Sequence, residues 1–188
     1  MSGGRRAFLR QALLAGVWLW SSGHTPYNQW NVYRQKHLLI LTSKADPEGF
    51  VLGKKIAETL VERLPSSGAR VTRAPDLARV ASLIGTKQLD IAVLRRGDAR
   101  AMGDGAPPFE SFGGMPLRVV ADFGGHVLVS RDDFPAIHAY RVAAALADTG
   151  DDGLATPIAA VAQDAPGLPV HDGAAAFLRG APPPDDAG

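Results

Sequence analysis

The chain has 188 residues, of which 46% are hydrophobic, and this length predicts one packed domain with residues left over for targeting and tail segments. The net charge of +1 argues against nucleic acid as a partner, because no basic stripe interleaved with aromatic residues accompanies it. The absence of cysteine excludes disulfides, thiolate catalysis and cysteine-based zinc or iron–sulfur sites.

Residues 1–23 have the pattern of an export signal. The basic run RRAFLR at residues 5–10 precedes the apolar run QALLAGVWLW at residues 11–20. A positive segment followed by a short apolar run is typical of a secretory signal, and the arginine pair resembles the twin-arginine type. No Ala-x-Ala cleavage site follows the apolar run. Cleavage near Ser21-Ser22-Gly23 and an uncleaved membrane anchor are therefore both open. An amphipathic first helix of a cytoplasmic domain is a further alternative. We expect a periplasmic protein.

Residues 24–36 form a polar and aromatic lead-in. Tyr27, Trp30 and Tyr33 are spaced three apart, which predicts an aromatic edge on a short helix that packs on the domain. A box of aromatic side chains around a ligand is the alternative.

Residues 37–148 predict a single α/β domain. The apolar run at 38–41 indicates a strand covered on both faces. After a polar loop, apolar residues from Leu52 to Leu64 recur at helical spacing, with Asp46 as helix cap and Pro47 in the first turn. A second strand at 69–73, a helix beginning at Pro75 and Asp76, and a third strand at 90–94 complete a βαβαβ unit. Right-handed crossovers then place the first strand between the other two in a parallel sheet.

The second half is richer in glycine and proline. Residues 95–116 indicate a surface loop with a short helix around 98–102, and residues 117–121 and 126–130 indicate two strands in a hairpin-like or edge pairing. Asp132 and Asp133 are interpreted as the cap of a helix over 137–148. Residues 149–188 show no sustained periodicity, so we expect a loop-rich segment with a disordered end.

The loops at the carboxyl ends of the strands supply the candidate site. In an open α/β sheet, ligands bind at these ends near the point where the strand order reverses. Hydroxyls, backbone N–H groups at a helix start and guanidinium groups suit a carboxylate or another oxyanion. The alternative is that these charges are solvated loop residues. The candidate ligand-binding residues are Thr42, Ser43, Lys44, Arg73, Arg95, Arg96 and Asp98.

The residues give little support for catalysis. The five histidines are scattered, without the helical spacing that a metal would need. No Gly-x-Ser-x-Gly motif is present, and the Gly85-Thr86-Lys87 sequence lacks the upstream glycine of a phosphate-binding loop. We therefore expect a protein that is not an enzyme and that has no cofactor and no metal.

Several segments together resemble a known family. They are Thr42-Ser43 at the end of the first strand, Leu52-Gly53-Lys54 in the first helix, residues 73–84, the QLDIAVL strand at 88–94, Phe134-Pro135 with Ala139-Tyr140, and the VHDGAA segment at 170–175. They resemble the solute receptors of tripartite ATP-independent periplasmic (TRAP) transporters, of the TAXI type, and more broadly the type 2 periplasmic binding proteins.

This resemblance implies a three-layer βαβαβ open sheet with mostly parallel strands, like one lobe of such a receptor. It also implies a small anionic organic solute that is presented to membrane transporter subunits. Such receptors close two lobes over the ligand, whereas this chain suffices for one lobe. Tight binding would then require a homodimer or a partner surface. The alternative function is an envelope interaction or sensory module that uses the same lobe to bind a partner protein without a solute.

Overall fold

The computed structural model describes residues 37–147 and 168–185. The chain divides between Gln35 and Lys36 into two units, and every described residue belongs to the second. The predicted export signal at residues 1–23 and the aromatic lead-in at 24–36 therefore lie outside the described residues. Within the described ranges, no helix combines the length and the apolar character needed to cross a bilayer.

Five strands of the described residues form a sheet with the order β2-β1-β3-β5-β4. Strand β1 pairs in parallel with β2 and β3, whereas β5 runs antiparallel to both β3 and β4. The predicted mostly parallel open sheet is confirmed. The predicted place of β1 between β2 and β3 and the predicted pairing of β4 with β5 are also confirmed. The strands are β1 (Leu39–Ser43), β2 (Arg70–Ala74), β3 (Ile91–Arg95), β4 (Leu117–Asp122) and β5 (His126–Arg131).

Helices cover both faces of this sheet. They are α1 (Pro47–Arg63), α2 (Leu77–Gly85), α3 (Arg96–Asp104), α4 (Ala136–Ala147) and α5 (Asp172–Leu178), with single 3₁₀ turns at Pro65–Ser67 and Glu110–Phe112. Successive strand residues point to opposite faces, so Ile40 enters the core beneath α1 and α4 while Leu41 enters the core beneath α2 and α3. This explains why the first strand is apolar without alternation. The predicted three-layer α/β arrangement is confirmed.

Two local predictions between β3 and α4 need correction. The short helix expected around residues 98–102 is present but longer, since α3 begins at Arg96, directly after β3, where loop residues were expected. Ala99 and Met102 bury one face of it, and it ends at Gly105 in the left-handed conformation that glycine tolerates. Asp133 does not cap α4, which begins at Ala136. Hydrogen bonds from Arg131 and Lys87 instead hold its carboxylate and lower the pKa of Asp133 to about 2.

The described part of the C-terminal segment packs against the domain. Val170 forms a parallel bridge with Val119 of β4, and α5 follows at once and packs on α4. Gly173 allows this contact, since a Cβ there would lie 2.7 Å from the backbone carbon of Ala136. The hydroxyl of Tyr140 donates to the carbonyl oxygen of Ala181. At 172–178 the expected loop is thus replaced by a helix of 7 residues, too short to show a period in the sequence. Residues 149–167 and 186–188 of the predicted segment lie outside the described residues.

Candidate functional site

The loops that follow β1, β2 and β3 lie at one edge of the sheet, which we call the carboxyl edge. The register aligns Ser43 with Ala74, so the first two strands end level with one another. Strand β5 runs the opposite way and therefore begins at this edge, where His126 is paired with Arg95. The carboxyl edge thus contains the three loops that were predicted from the sequence to meet there. It also contains the turn between β4 and β5, whose position there was not predicted.

A buried carboxylate lies at the centre of the carboxyl edge. The side chain of Asp46 is 9% exposed, and its Oδ1 accepts hydrogen bonds from Arg95 Nη2 at 3.2 Å and Nε at 3.3 Å. Its Oδ2 lies 2.8 Å from His126 Nε2. Burial alone would raise the pKa of Asp46, but the hydrogen bond with His126, the Gly49 N–H and the charges of His126 and Arg95 together lower it. Asp46 is therefore a carboxylate with two partners.

Asp46 precedes α1, as a capping residue should, and Pro47 occupies the first turn as predicted. Its side chain nevertheless makes no capping hydrogen bond. The Gly49 N–H lies close enough to lower the pKa of Asp46, but the hydrogen bonds of the carboxylate are directed to His126 and Arg95, which supply charge-assisted partners. The prediction of Asp46 as a cap is correct for its position and wrong for its side chain.

Two further carboxylates surround this pair. Donor atoms of Glu48, Asp46 and His126 all lie within 4.8 Å of one another. Asp98 stands in the first turn of α3, half-buried. Burial raises the pKa of Asp98, and Asp46 reinforces this effect while Arg95 and His126 oppose it. The region around Asp46 therefore carries more negative than positive charge.

A second ion pair closes the turn between β4 and β5. Asp122 is 1% exposed, and its carboxylate accepts hydrogen bonds from Arg96 Nη2 and from the Gly124 N–H at 2.6 Å. Arg96 also donates to the Gly124 carbonyl through Nη2 at 2.8 Å. The guanidinium of Arg96 thereby links the start of α3 to the β4–β5 turn.

The two hydroxyls predicted to bind a ligand are directed elsewhere. Thr42 is completely buried and donates to the Thr72 carbonyl at 2.9 Å, which ties β1 to β2. Ser43 is 2% exposed, and its Oγ accepts from the Ala45 N–H at 3.1 Å. The Thr42 hydroxyl therefore stabilises the pairing of β1 with β2, and the Ser43 hydroxyl stabilises the turn that follows β1. Their assignment as ligand-binding residues stays a prediction, although each lies beneath the surface with a backbone partner.

The two outermost cations of the predicted set remain available. Lys44 is exposed, and the guanidinium of Arg73 lies 4.1 Å above the centre of the Phe50 ring. Within residues 37–147 and 168–185, neither forms an ion pair with a carboxylate. Arg95 and Arg96 are 53% and 40% exposed, although each holds a buried acid. These basic side chains are thus more exposed than the carboxylates of Asp46 and Asp122, and they share the outer surface of the edge with Glu48.

The sequence reasoning missed the roles of Glu48, Asp122 and His126. His126 was counted among scattered histidines, although it opens a predicted strand. Had that strand been placed beside β3 and antiparallel to it, its first residue would have been expected at the carboxyl edge. The sequence could therefore have predicted His126 at the carboxyl edge, but only if the strand order had been known.

Comparison of the chain with protein-family models gives no match, and comparison with the curated proteins gives none either. Function is therefore inferred from the site itself.

Proposed function

We propose that this domain is a non-enzymatic binding module that holds a small organic anion at the carboxyl edge. The observation that supports it is the layering of charge. The cations are exposed, with Arg95 and Arg96 at 53% and 40%, whereas their partners Asp46 and Asp122 are 9% and 1% exposed. An anion approaching Arg95 or Arg96 would therefore meet each guanidinium before the buried carboxylate that this guanidinium holds.

The two arginines are also oriented in advance. Arg95 uses Nε and Nη2 on Asp46, and Arg96 uses the same two nitrogens on Asp122 and Gly124. Among the described residues, Nη1 of neither arginine forms one of these hydrogen bonds, so it is left for a ligand. A guanidinium already held by one side of its fork loses less conformational freedom on binding. Helices α1 and α3 begin at the same edge, and their N-terminal N–H groups add to the attraction for an anion.

A binding role fits the described edge better than hydrolysis by a serine or histidine. Ser43 Oγ is engaged by its own turn, and His126 Nε2 is engaged by Asp46. Nucleophilic catalysis needs a hydroxyl or thiol within hydrogen-bond reach of a base. The structure describes no such pair at this edge.

The test uses Lys44 and Arg73, since neither holds a buried acid. Arg95 and Arg96 are unsuitable, because their removal would leave Asp46 or Asp122 without a counter-charge. A thermal-shift screen of dicarboxylates and amino acids should find a compound that raises the Tm, because binding to the native state alone stabilises it. Calorimetry with that compound should then show at least about tenfold weaker binding to the Lys44→Ala/Arg73→Ala variant, since hydrogen bonds to charged groups contribute about 1.5–3 kcal/mol each.

The matched control is Lys54→Ala/Lys55→Ala, which removes the same charge from two exposed positions further along α1. Its affinity should equal that of the wild type. Equal affinity in all three proteins would place the ligand elsewhere. If no compound raises the Tm, the solute proposal fails, and the alternative of a partner-protein module takes its place.

Export and presentation to a transporter belong to the same proposal. A fusion of residues 1–36 to a reporter that is active only outside the cytoplasm should be active, and replacing Arg5 and Arg6 by lysine should silence it if the twin-arginine pathway is used. A silent wild-type fusion would remove export from the proposal. Native mass spectrometry of the full chain should show a dimer if one lobe is completed by a second copy.

A further inference from the structure

We propose that Asp46, Glu48 and His126 form a binding site for one divalent transition-metal ion. The three side chains offer two carboxylates and one imidazole, and their donor atoms lie within 4.8 Å of one another. They come from distant parts of the chain: Asp46 and Glu48 flank the start of α1, and His126 begins β5. The fold, rather than a local motif, assembles this set.

The closest pair already has the spacing of two adjacent metal ligands. Zinc–nitrogen and zinc–carboxylate distances are about 2.0–2.2 Å, so neighbouring ligands around one ion stand roughly 3 Å apart. Asp46 Oδ2 and His126 Nε2 are 2.8 Å apart. An ion could therefore replace the proton that the two atoms share, with only a small movement of either side chain.

The surroundings of Asp46 have features of an outer coordination shell. Its other oxygen, Oδ1, is held by Arg95, and metal-ligating carboxylates are commonly oriented by such a hydrogen bond. Gly49 allows the Asp46 carboxylate and His126 to pack against the first turn of α1, since a Cβ there would lie 3.0 Å from Asp46 Cγ and 3.4 Å from His126 Cδ2. These two observations concern the shape and orientation of the site, and they are independent of its charge.

The charge of the site also favours a cation. Asp46, Glu48 and Asp98 contribute three carboxylates against the single guanidinium of Arg95, which leaves two negative charges when His126 is neutral. The start of α1 offsets this by only about half a positive charge. A divalent ion would neutralise what remains. An imidazole combined with carboxylates suits zinc, manganese or iron better than calcium or magnesium.

Three protein donors leave one position open around a four-coordinate ion. Water would fill it in the absence of another ligand, and the carboxylate of an organic anion could replace that water. Metal binding itself requires no solute, so it can be tested whether or not the proposed anion site exists.

The test is a calorimetric titration of the chelator-treated, full-length chain with zinc chloride. We expect one ion per chain, and we expect both His126→Asn and Glu48→Gln to weaken binding by at least about tenfold, because each removes a direct ligand. His138→Asn, which alters an exposed imidazole on α4, should bind zinc like the wild type. Glu48 is exposed, so its variant should remain folded even if a substitution at His126 perturbs the domain.

Two results would overturn the proposal. One is a wild-type chain that takes up no zinc at micromolar concentrations. The other is equal affinity in the wild type and in a Glu48→Gln variant with an unchanged circular dichroism spectrum. A zinc-dependent shift of the His126 Nε2 resonance in the wild type, with none for His138, would support the assignment directly.

Discussion

Replacing Gly49 by alanine should break the Asp46 cluster without touching its charged residues. A Cβ at position 49 would lie 3.0 Å from Asp46 Cγ and closer still to Asp46 Oδ2. The second contact is shorter than real Cβ atoms make with non-bonded neighbours. The carboxylate is the part that can move. Because His126 and Arg95 hold it in place, moving it costs the hydrogen bonds to both.

The size of the effect can be worked out from these contacts. The hydrogen bond between Asp46 and His126 is largely shielded from water and should contribute about 1.5–3 kcal/mol. The contact with Arg95 is half-exposed, so solvent screening limits it to about 1 kcal/mol or less. Alanine regains up to about 1 kcal/mol of helix propensity over glycine. We therefore expect a net loss of about 1–2 kcal/mol in the free energy of unfolding.

Urea unfolding at neutral pH measures this loss, and Gly97→Ala is the matched control. Gly97 also lies in the first turn of a helix at the carboxyl edge, but a Cβ there has nothing within 4 Å. This control should match or slightly exceed the wild type in stability. If Gly49→Ala is as stable as Gly97→Ala, the constraint on the Asp46 carboxylate is disproved.

The dependence on pH provides a second check on the same variant. The pKa of Asp46 in the folded chain lies below its ordinary value of 3.8. Its contribution to stability is therefore present above pH 3.8 and is lost as the pH falls through the lowered value. The gap in stability between the wild type and Gly49→Ala should narrow in acid. A gap that stays constant down to strongly acidic pH would mean that the variant acts through packing alone.

Three further substitutions test other parts of the fold. Gly173→Ala places a Cβ 2.7 Å from the backbone carbon of Ala136, so we expect a loss of about 1–3 kcal/mol in urea unfolding, and unchanged stability would disprove the close approach of α5 to α4. Burial holds the pKa of His171 below its ordinary 6.5, so the wild type should lose stability as the pH falls below 6.5, and His171→Gln should lack that part of the slope. Arg96→Ala leaves the carboxylate of Asp122 buried without its cation and should cost about 1–3 kcal/mol. Adding Asp122→Asn should recover part of that loss, and a double-mutant cycle with no coupling would contradict the pair.

The proposed anion and metal sites share residues at the carboxyl edge, so they should influence one another. Arg95 orients Asp46 from one side and presents its remaining N–H groups to solvent on the other. If the ion binds beside Asp46, the local charge becomes more positive and an anion should bind more tightly. By linkage, the anion should then increase the affinity for the ion by the same factor.

The succession of elements could be read from the sequence because it depends on local patterns. The apolar residues of α1 recur at helical spacing, and the first strand is apolar on both faces because both are covered. Asp76 accepts a hydrogen bond from the Arg79 N–H as the cap of α2, which a short-range signal also predicts. The parallel βαβαβ unit followed from the order of these elements and from the handedness of crossovers.

The partners of the charged residues depended on tertiary structure. Arg95, Arg96 and Asp98 were correctly placed at the carboxyl edge, but their sequence context could not show that Asp46 and Asp122 lie beneath them. That depends on β5, which is inserted between β3 and β4 and runs against both. The insertion brings His126 to Asp46, 80 residues earlier in the chain. Local patterns thus determined the elements and the edge where they end. Long-range strand pairing alone decided which charges there are neutralised and which stay exposed.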